Sequence, residues 1–210
     1  MTFLELCQAL RREVGAPGEG PSNVESQTGE YERLVNWIRN EWVRIQQRHL
    51  RWRFLWAQGS VELTDEFTEF SLPSDLAVLN PDFIYIGKTP VNIVTWPEFQ
   101  SASHGTTYPM GGRIAAISPD GMLHFQAPPP ADSLMKFEYW KTPQVLRTNT
   151  DVPVCPSQYQ YVIVYAAMIQ YGLYENAPEV VEQGRYSFDR VYQEMVNREL
   201  PDVQMAGPLA

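Results

Sequence analysis

Apolar residues recur every three or four positions at the start of the chain. Phe3, Leu6, Cys7, Leu10 and Val14 share one face of a predicted helix. Thr2 and Glu5 have the spacing of a capping box, in which each side chain bonds the other's backbone N–H. Gly15, followed by Pro17, ends this helix. A longer helical pattern runs from about Thr28 to His49 or beyond. Tyr31, Leu34, Val35, Ile38, Trp42, Ile45 and His49 form its stripe. Thr28 is the predicted N-cap, and Glu30 and Glu32 in the first turn complement the helix dipole. The period then changes. Glu66-Phe67-Thr68-Glu69-Phe70 alternates in steps of two, as a half-buried strand does. Phe54 to Leu63, Phe67 to Leu72, Phe83 to Ile86, Val91 to Val94 and Leu134 to Trp140 are rich in β-branched and aromatic residues and read as strands. Arg113 to Gln126 reads as a hairpin turning at Ser118-Pro119-Asp120-Gly121. Gln100 to Gly112 has no period and reads as a loop.

Helices return after a Pro-rich linker from Pro143 to Pro156. Ser157 and Gln160 are spaced as a second capping box. The helix they begin, to about Tyr174, is apolar nearly all round and is expected at the centre of the core. Within it, Ala166 and Ala167 would let a neighbour approach closely. Glu175-Asn176-Ala177-Pro178 breaks the pattern, with Pro at an early helix position. The last helix, from about Glu179 to Glu199, carries Val181, Phe188, Val191, Tyr192 and Met195 on its apolar face. The fold class expected is α+β. N- and C-terminal helices (residues 1–53 and 157–200) form a helical bundle, with an inserted antiparallel β subdomain (54–142), a linker (143–156) and a C-terminal tail (201–210).

Composition narrows the function classes. The chain has 210 residues, 44% of them apolar, enough for a real core. Two cysteines exclude a disulfide-stapled scaffold and fit a reducing compartment. Sixteen Lys+Arg against 25 Asp+Glu give a net charge of −9, unlike a dedicated duplex-DNA binder, which needs a basic face. Glu5 is unlike the basic start of a secretory signal. The most apolar stretch, Tyr161 to Tyr174, is too short to span a bilayer. The charge is segregated: residues 33–53 hold six Arg and one acid, Glu41, whereas residues 62–75 hold five acids (Glu62, Asp65, Glu66, Glu69, Asp75) and no base. Arg33, Trp37, Arg44, Arg48 and Arg51 flank the apolar stripe of the second helix. They read either as a solvated face or as a docking face for an acidic neighbour, anchored by Trp37. The acidic run is its natural counterpart, within one subunit or between two.

Catalytic chemistry finds little support. The Gly/Pro loop from Gly15 to Ser22 lacks the preceding strand and following Lys-Ser/Thr of a phosphate cradle, so it reads as a surface loop. His49, His104 and His124 have no metal-ligand spacing. His49 reads as packed and His124 as pointing outwards, and Ser103 beside His104 is no triad. Cys7 reads as a small hydrophobe, and Cys155 has no nearby base to activate it. Paired carboxylates for glycan hydrolysis can always be found among 25 acids. No cofactor, metal or catalytic residue is assigned.

The first quarter of the chain also resembles the head-to-tail adaptor proteins of tailed bacteriophages. The residues that carry the likeness are Phe3-Leu4-Glu5-Leu6-Cys7 through Glu13-Val14-Gly15, then Gly29-Glu30-Tyr31-Glu32-Arg33-Leu34-Val35-Asn36-Trp37-Ile38, Glu41-Trp42-Val43-Arg44-Ile45-Gln46 and Trp52-Arg53-Phe54-Leu55-Trp56. The C-terminal helix pair fits the same plan. The resemblance implies a structural virion protein made in the host cytoplasm. It would form a ring, usually of twelve copies, beneath the portal protein, extend the DNA channel and present a platform to the tail or nozzle protein. It implies no membrane, and genomic DNA passing through the lumen without specific binding, past acids that would repel its phosphates. A ring uses a heterologous interface, for which Arg33, Trp37, Arg44 and Arg48 on one side and Glu62, Asp65, Glu66 and Glu69 on the other are the candidates. The portal-docking arm implied is Met195 to Ala210, with Met195, Leu200, Pro201, Val203, Met205, Pro208 and Leu209 as its contacts. The alternatives are a distal tail component, a tail-associated cell-wall hydrolase using two carboxylates, and a binding module unrelated to phages.

Overall fold

The computed structural model describes residues 1–103 and 113–200. It is α+β, with five α-helices and a seven-stranded mixed sheet among the described residues. The chain divides into two compact units, Met1–Leu55 together with the chain from Pro143 onward, and Trp56–Thr142.

The first unit is helical. Helix α1 (Phe3–Glu13) starts at the expected capping box: Glu5 N–H donates to Thr2 Oγ1 at 3.2 Å and Thr2 N–H to Glu5 Oε2 at 2.7 Å. Helix α2 (Gly29–Gln47) has Thr28 at its N-cap position but takes no bond from that side chain. It also ends before His49. Leu34, Val35, Ile38, Trp42 and Ile45 of the expected stripe are buried. The chain then bends through a 3-10 turn, Arg53–Leu55, where a strand was expected to have begun.

Helix α4 (Tyr161–Tyr174) packs against α1, α2 and α5 (Pro178–Glu199), which explains its apolar character all round. The expected capping box at Ser157 and Gln160 does not form. Ser157–Tyr159 is a 3-10 turn, and the Gln160 amide instead accepts from the N-terminal ammonium and donates to Pro153 O at 3.3 Å. Close approach of α4 and α5 is set by glycines. A Cβ on Gly172 would stand 2.8 Å from Val181 Cγ2, and one on Gly184 would stand 3.1 Å from Ile169 Cγ1.

The Pro-rich segment before α4 is a strap bound to α2. Gln46 Nε2 donates to Gln144 O at 2.9 Å, Gln144 N–H returns to Gln46 Oε1 at 2.8 Å, and Trp42 Nε1 donates to Gln144 Oε1 at 3.1 Å. Leu146 is buried beneath it. These bonds satisfy backbone groups that Pro-rich chain cannot pair in a helix or sheet.

The second unit holds β1 (Trp56–Leu63), β2 (Glu69–Ser71), β3 (Leu76–Ile86), β4 (Thr89–Ile93), α3 (Trp96–Ser103), β5 (Arg113–Ile117), β6 (Met122–Phe125) and β7 (Ser133–Lys141). The strand order is β1-β7-β3-β4-β5-β6-β2. Leu63, Ile84, Val91, Ala115, Leu123, Phe125, Met135 and Phe137 meet in one core on the inner face, with Phe70 of β2 packed against it. The expected hairpin forms, with Gly121 at φ +86° closing its turn. The sheet is not purely antiparallel as expected: β4 and β5 run parallel. Parallel neighbours need a crossover, and α3 lies in it. Its last four residues, Gln100 to Ser103, occupy the beginning of the stretch read as a loop. Thr95 starts the helix, its N–H and hydroxyl both donating to Glu98 Oε2, at 2.9 and 2.7 Å.

Candidate assembly surfaces

The basic segment of residues 33–53 does not present six free cations. Arg39 donates to Leu146 O at 2.9 Å and Asn36 Oδ1 at 3.0 Å, and Arg53 donates to Arg198 O at 2.8 Å. Arg48 lies 4.9 Å over both the Phe188 and the Tyr192 rings of α5. Trp37 is half-buried, edge-on to Tyr171 at 6.0 Å and tilted on Tyr174 at 5.8 Å. Arg33 lies 4.5 Å over the Tyr174 ring, and its buried Nε has no hydrogen-bond partner. Arg44 bonds Glu41 Oε1 at 2.7 Å, yet its side chain stays 63% exposed. Arg33 and Arg44 are therefore the two interface candidates on α2 that keep outward capacity.

The acidic run divides in the same way. Asp75 bonds Lys141 Nζ at 3.1 Å and the Tyr139 hydroxyl at 3.0 Å, and these donors hold its carboxyl below the usual range. Glu69 stands opposite His124 in the β2–β6 ladder, its Oε1 3.4 Å from His124 Nδ1. Glu62, Asp65 and Glu66 are exposed, the last two in the β1–β2 connection beside exposed Phe67. Among the proposed docking residues, Met195 is fully buried in the first unit. Leu200 is half-buried at the end of α5. Pro201, Val203, Met205, Pro208 and Leu209 lie outside the described residues, as does His104.

One cluster was missed in the sequence. His124 does not point outwards: its ring lies 4.9 Å from Trp96, and its Nε2 lies 3.0 Å from Ser118 Oγ. With Glu69 this gives a Ser-His-Glu arrangement. It is not wired as a nucleophilic triad. The Ser118 hydroxyl has one proton, and two oxygens claim it: a carboxylate oxygen of Asp120 and the Met122 carbonyl at 3.0 Å. The hydroxyl is then left to accept from His124 Nε2, the reverse of what activation needs. The cluster clamps the β5–β6 turn to β2. The signal available was the pairing of Glu69 with His124, visible only once strand register is known.

Other reactive groups are quenched. Burial pushes the Cys7 and Cys155 thiols up to about 12, so both stay protonated. Among the described residues Glu41, on α2, is the buried carboxylate, and desolvation raises its pKa against the pull of Arg44. A hollow of about 390 Å³ on the outer face of β1, β7 and β3 contains one carboxylate, Glu138, where two-carboxylate hydrolysis needs a pair. Among the described residues no group of three or more His, Cys, Asp or Glu could hold a metal ion, and no helix is long and apolar enough to cross a membrane.

The SU10 adaptor protein family model matches residues 1–210, so the likeness extends well beyond the first quarter that carries the recognisable motif. No curated protein matches the chain. From the full-length match, the chain belongs to the SU10 adaptor protein family, and is a phage structural adaptor of the virion.

Proposed function

We propose that this adaptor forms a ring of like copies beneath the portal protein, extending the DNA channel and anchoring the tail or nozzle protein. The observation that carries the reading is the family match over the whole chain. The segregation of exposed charge supports it. Arg33 and Arg44 on α2, and Glu62, Asp65 and Glu66 around the end of β1, are two different surfaces of opposite sign. Head-to-tail ring closure needs two such surfaces.

In this reading the helices of residues 1–53 and 157–200 form the ring, and the β-rich insert of residues 54–142 faces the tail side or the outside. The arm that docks on the portal begins at Leu200 and runs through Pro201, Val203, Met205, Pro208 and Leu209. Genomic DNA passes through the lumen without specific binding, because an acidic wall repels its phosphates.

The test is co-sedimentation of the purified protein with the portal ring encoded by the same genome, with the mass of the complex determined. Binding at one copy per portal subunit, abolished by truncation after Glu199, is the expected result. Failure to bind across a range of salt concentrations would overturn the portal assignment and favour a distal tail position.

A further inference from the structure

We infer that the acidic turn between β1 and β2 of one copy seats on the Arg33–Trp37–Tyr174 patch of the next, with Phe67 as its anchor. This rests on the ring reading above and names the surfaces that would join its copies.

The receiving patch is built at the end of α4 against the first half of α2. The Arg33 guanidinium is spread over the Tyr174 ring at 4.5 Å, and its Nε is buried without a hydrogen-bond partner. Arg33 makes no ion pair among the described residues. A cationic group with a buried, unsatisfied donor is costly unless something accepts from it. Beside it, Tyr174 is 55% exposed and Leu173 60% exposed, although both end the most apolar helix of the chain. The Trp37 ring packs on the Tyr174 ring in a tilted pair at 5.8 Å. Aromatic and arginine side chains held rigidly by their neighbours are the types that dominate binding energy at interfaces.

The occupant is drawn from the same chain by its chemistry. Thr64, Asp65, Glu66 and Phe67 are all exposed in the β1–β2 connection. Phe67 is 60% exposed, a large aromatic side chain held in water beside Glu66. Two carboxylates within two positions of an outward-pointing phenyl ring complement a patch that offers a guanidinium without an ion pair among the described residues next to exposed apolar surface. Seating Phe67 on Leu173 and Tyr174 removes apolar area from water on both sides, and Asp65 or Glu66 brings a carboxylate to the Arg33 guanidinium, which makes no ion pair among the described residues. The patch lies on α2 and α4 and the turn between two strands, so the contact is heterologous and every copy carries both halves.

The experiment measures association by sedimentation velocity and native mass, with and without the portal ring, for the full chain and three variants. Phe67→Ser and Glu66→Arg change exposed residues, and circular dichroism should show both folded. Each is expected to weaken copy-to-copy association at least about tenfold. Arg33→Glu combined with Glu66→Arg should recover part of that loss, which a purely structural role for Arg33 would not produce. If wild type forms rings and Phe67→Ser and Glu66→Arg form them as readily, this contact is wrong while the ring reading stands. If wild type stays monomeric on its own and with the portal, both fail.

Discussion

Replacing Arg11 by alanine should loosen the loop of residues 15–22 and weaken the seam between α1 and α2. Arg11 is buried on α1 although it is fully charged. Its Nε and Nη2 both donate to Pro17 O, at 3.0 and 2.7 Å, its Nη1 pairs with the Glu30 carboxylate of α2, and its guanidinium lies 5.7 Å over the Tyr31 ring. One side chain therefore fastens the loop, α1 and α2 together. The two bonds to Pro17 converge on one carbonyl and count as a single charged hydrogen bond, worth about 1.5–2 kcal/mol. Glu30 is 39% exposed, so its pair with Arg11 is partly screened and adds about 0.5–1 kcal/mol. Pro17 is exposed, and its carbonyl can return to water, so no further penalty follows. The expected loss is about 2–3 kcal/mol. Arg11→Lys keeps the charge facing Glu30 but not the planar fork on Pro17, and should lose about half as much. Urea denaturation gives the stability change, and amide exchange across residues 18–24 reports whether the loop opens first. An Arg11→Ala change within about 0.5 kcal/mol of wild type, or a lysine variant as damaged as the alanine one, would refute this account.

Glu41→Gln should stabilise the protein at pH 7. Burial holds the Glu41 carboxyl above its usual value, so the fold disfavours its ionised form; stability is lost as pH rises through the raised value, and a neutral amide avoids that loss. The gain should shrink as pH falls from the raised value toward about 4.3 and vanish below that, where the unfolded glutamate is also protonated, and urea midpoints from pH 4 to 8 would show it; a gap independent of pH counts against the argument. At the α4–α5 contact, Gly172→Ala should cost more than Gly184→Ala. A Cβ at Gly172 meets two backbone atoms, Ala177 O and Val181 N, each at 3.0 Å, whereas at Gly184 two of the three nearest atoms belong to the Ile169 and Met168 side chains. Overpacking of about 1–3 kcal/mol outweighs a helix-propensity gain of about 1 kcal/mol at Gly172 but nearly balances it at Gly184, an order that thermal melts can check.

The helices were legible because their signals are local. The Thr2–Glu5 capping box, the stripe of α2 and the all-round apolar surface of α4 are each written within a few turns of chain. Where the signals failed, distant partners had intervened. Gln160 has capping spacing, but the N-terminal ammonium and Pro153 O occupy its amide. The crossover helix α3 was overlooked despite a local mark, Thr95 three residues before Glu98 with Pro97 between them. The unpatterned, Ser- and Gly-rich chain that follows hid it. That β4 and β5 run parallel could not be read locally, since alternation reports which face is buried and not which way the neighbour runs. The extent of β3 was also hidden: its register shifts between Leu79 and Ile84, around Pro81, which a strand tolerates only at an irregularity.

The charge pattern needed structure for a different reason. Six arginines between residues 33 and 53 look like a uniform basic face, but charge counted along a sequence is not charge available to a partner. Arg39 and Arg53 bond backbone carbonyls, and Arg48 spreads over Phe188 and Tyr192. On the acidic side Asp75 is paired with Lys141, and Glu69 faces His124. Among the interface candidates, Arg33 and Arg44 on one surface and Glu62, Asp65 and Glu66 on the other keep contact with solvent. Exposed pairs of this kind contribute about 0–1 kcal/mol each and are screened beyond about 8 Å at physiological salt. Such charges can choose the register between copies but cannot supply most of the energy that would hold a ring together. That energy has to come from apolar burial, and the exposed Phe67, Leu173 and Tyr174 beside those charges are where it is available.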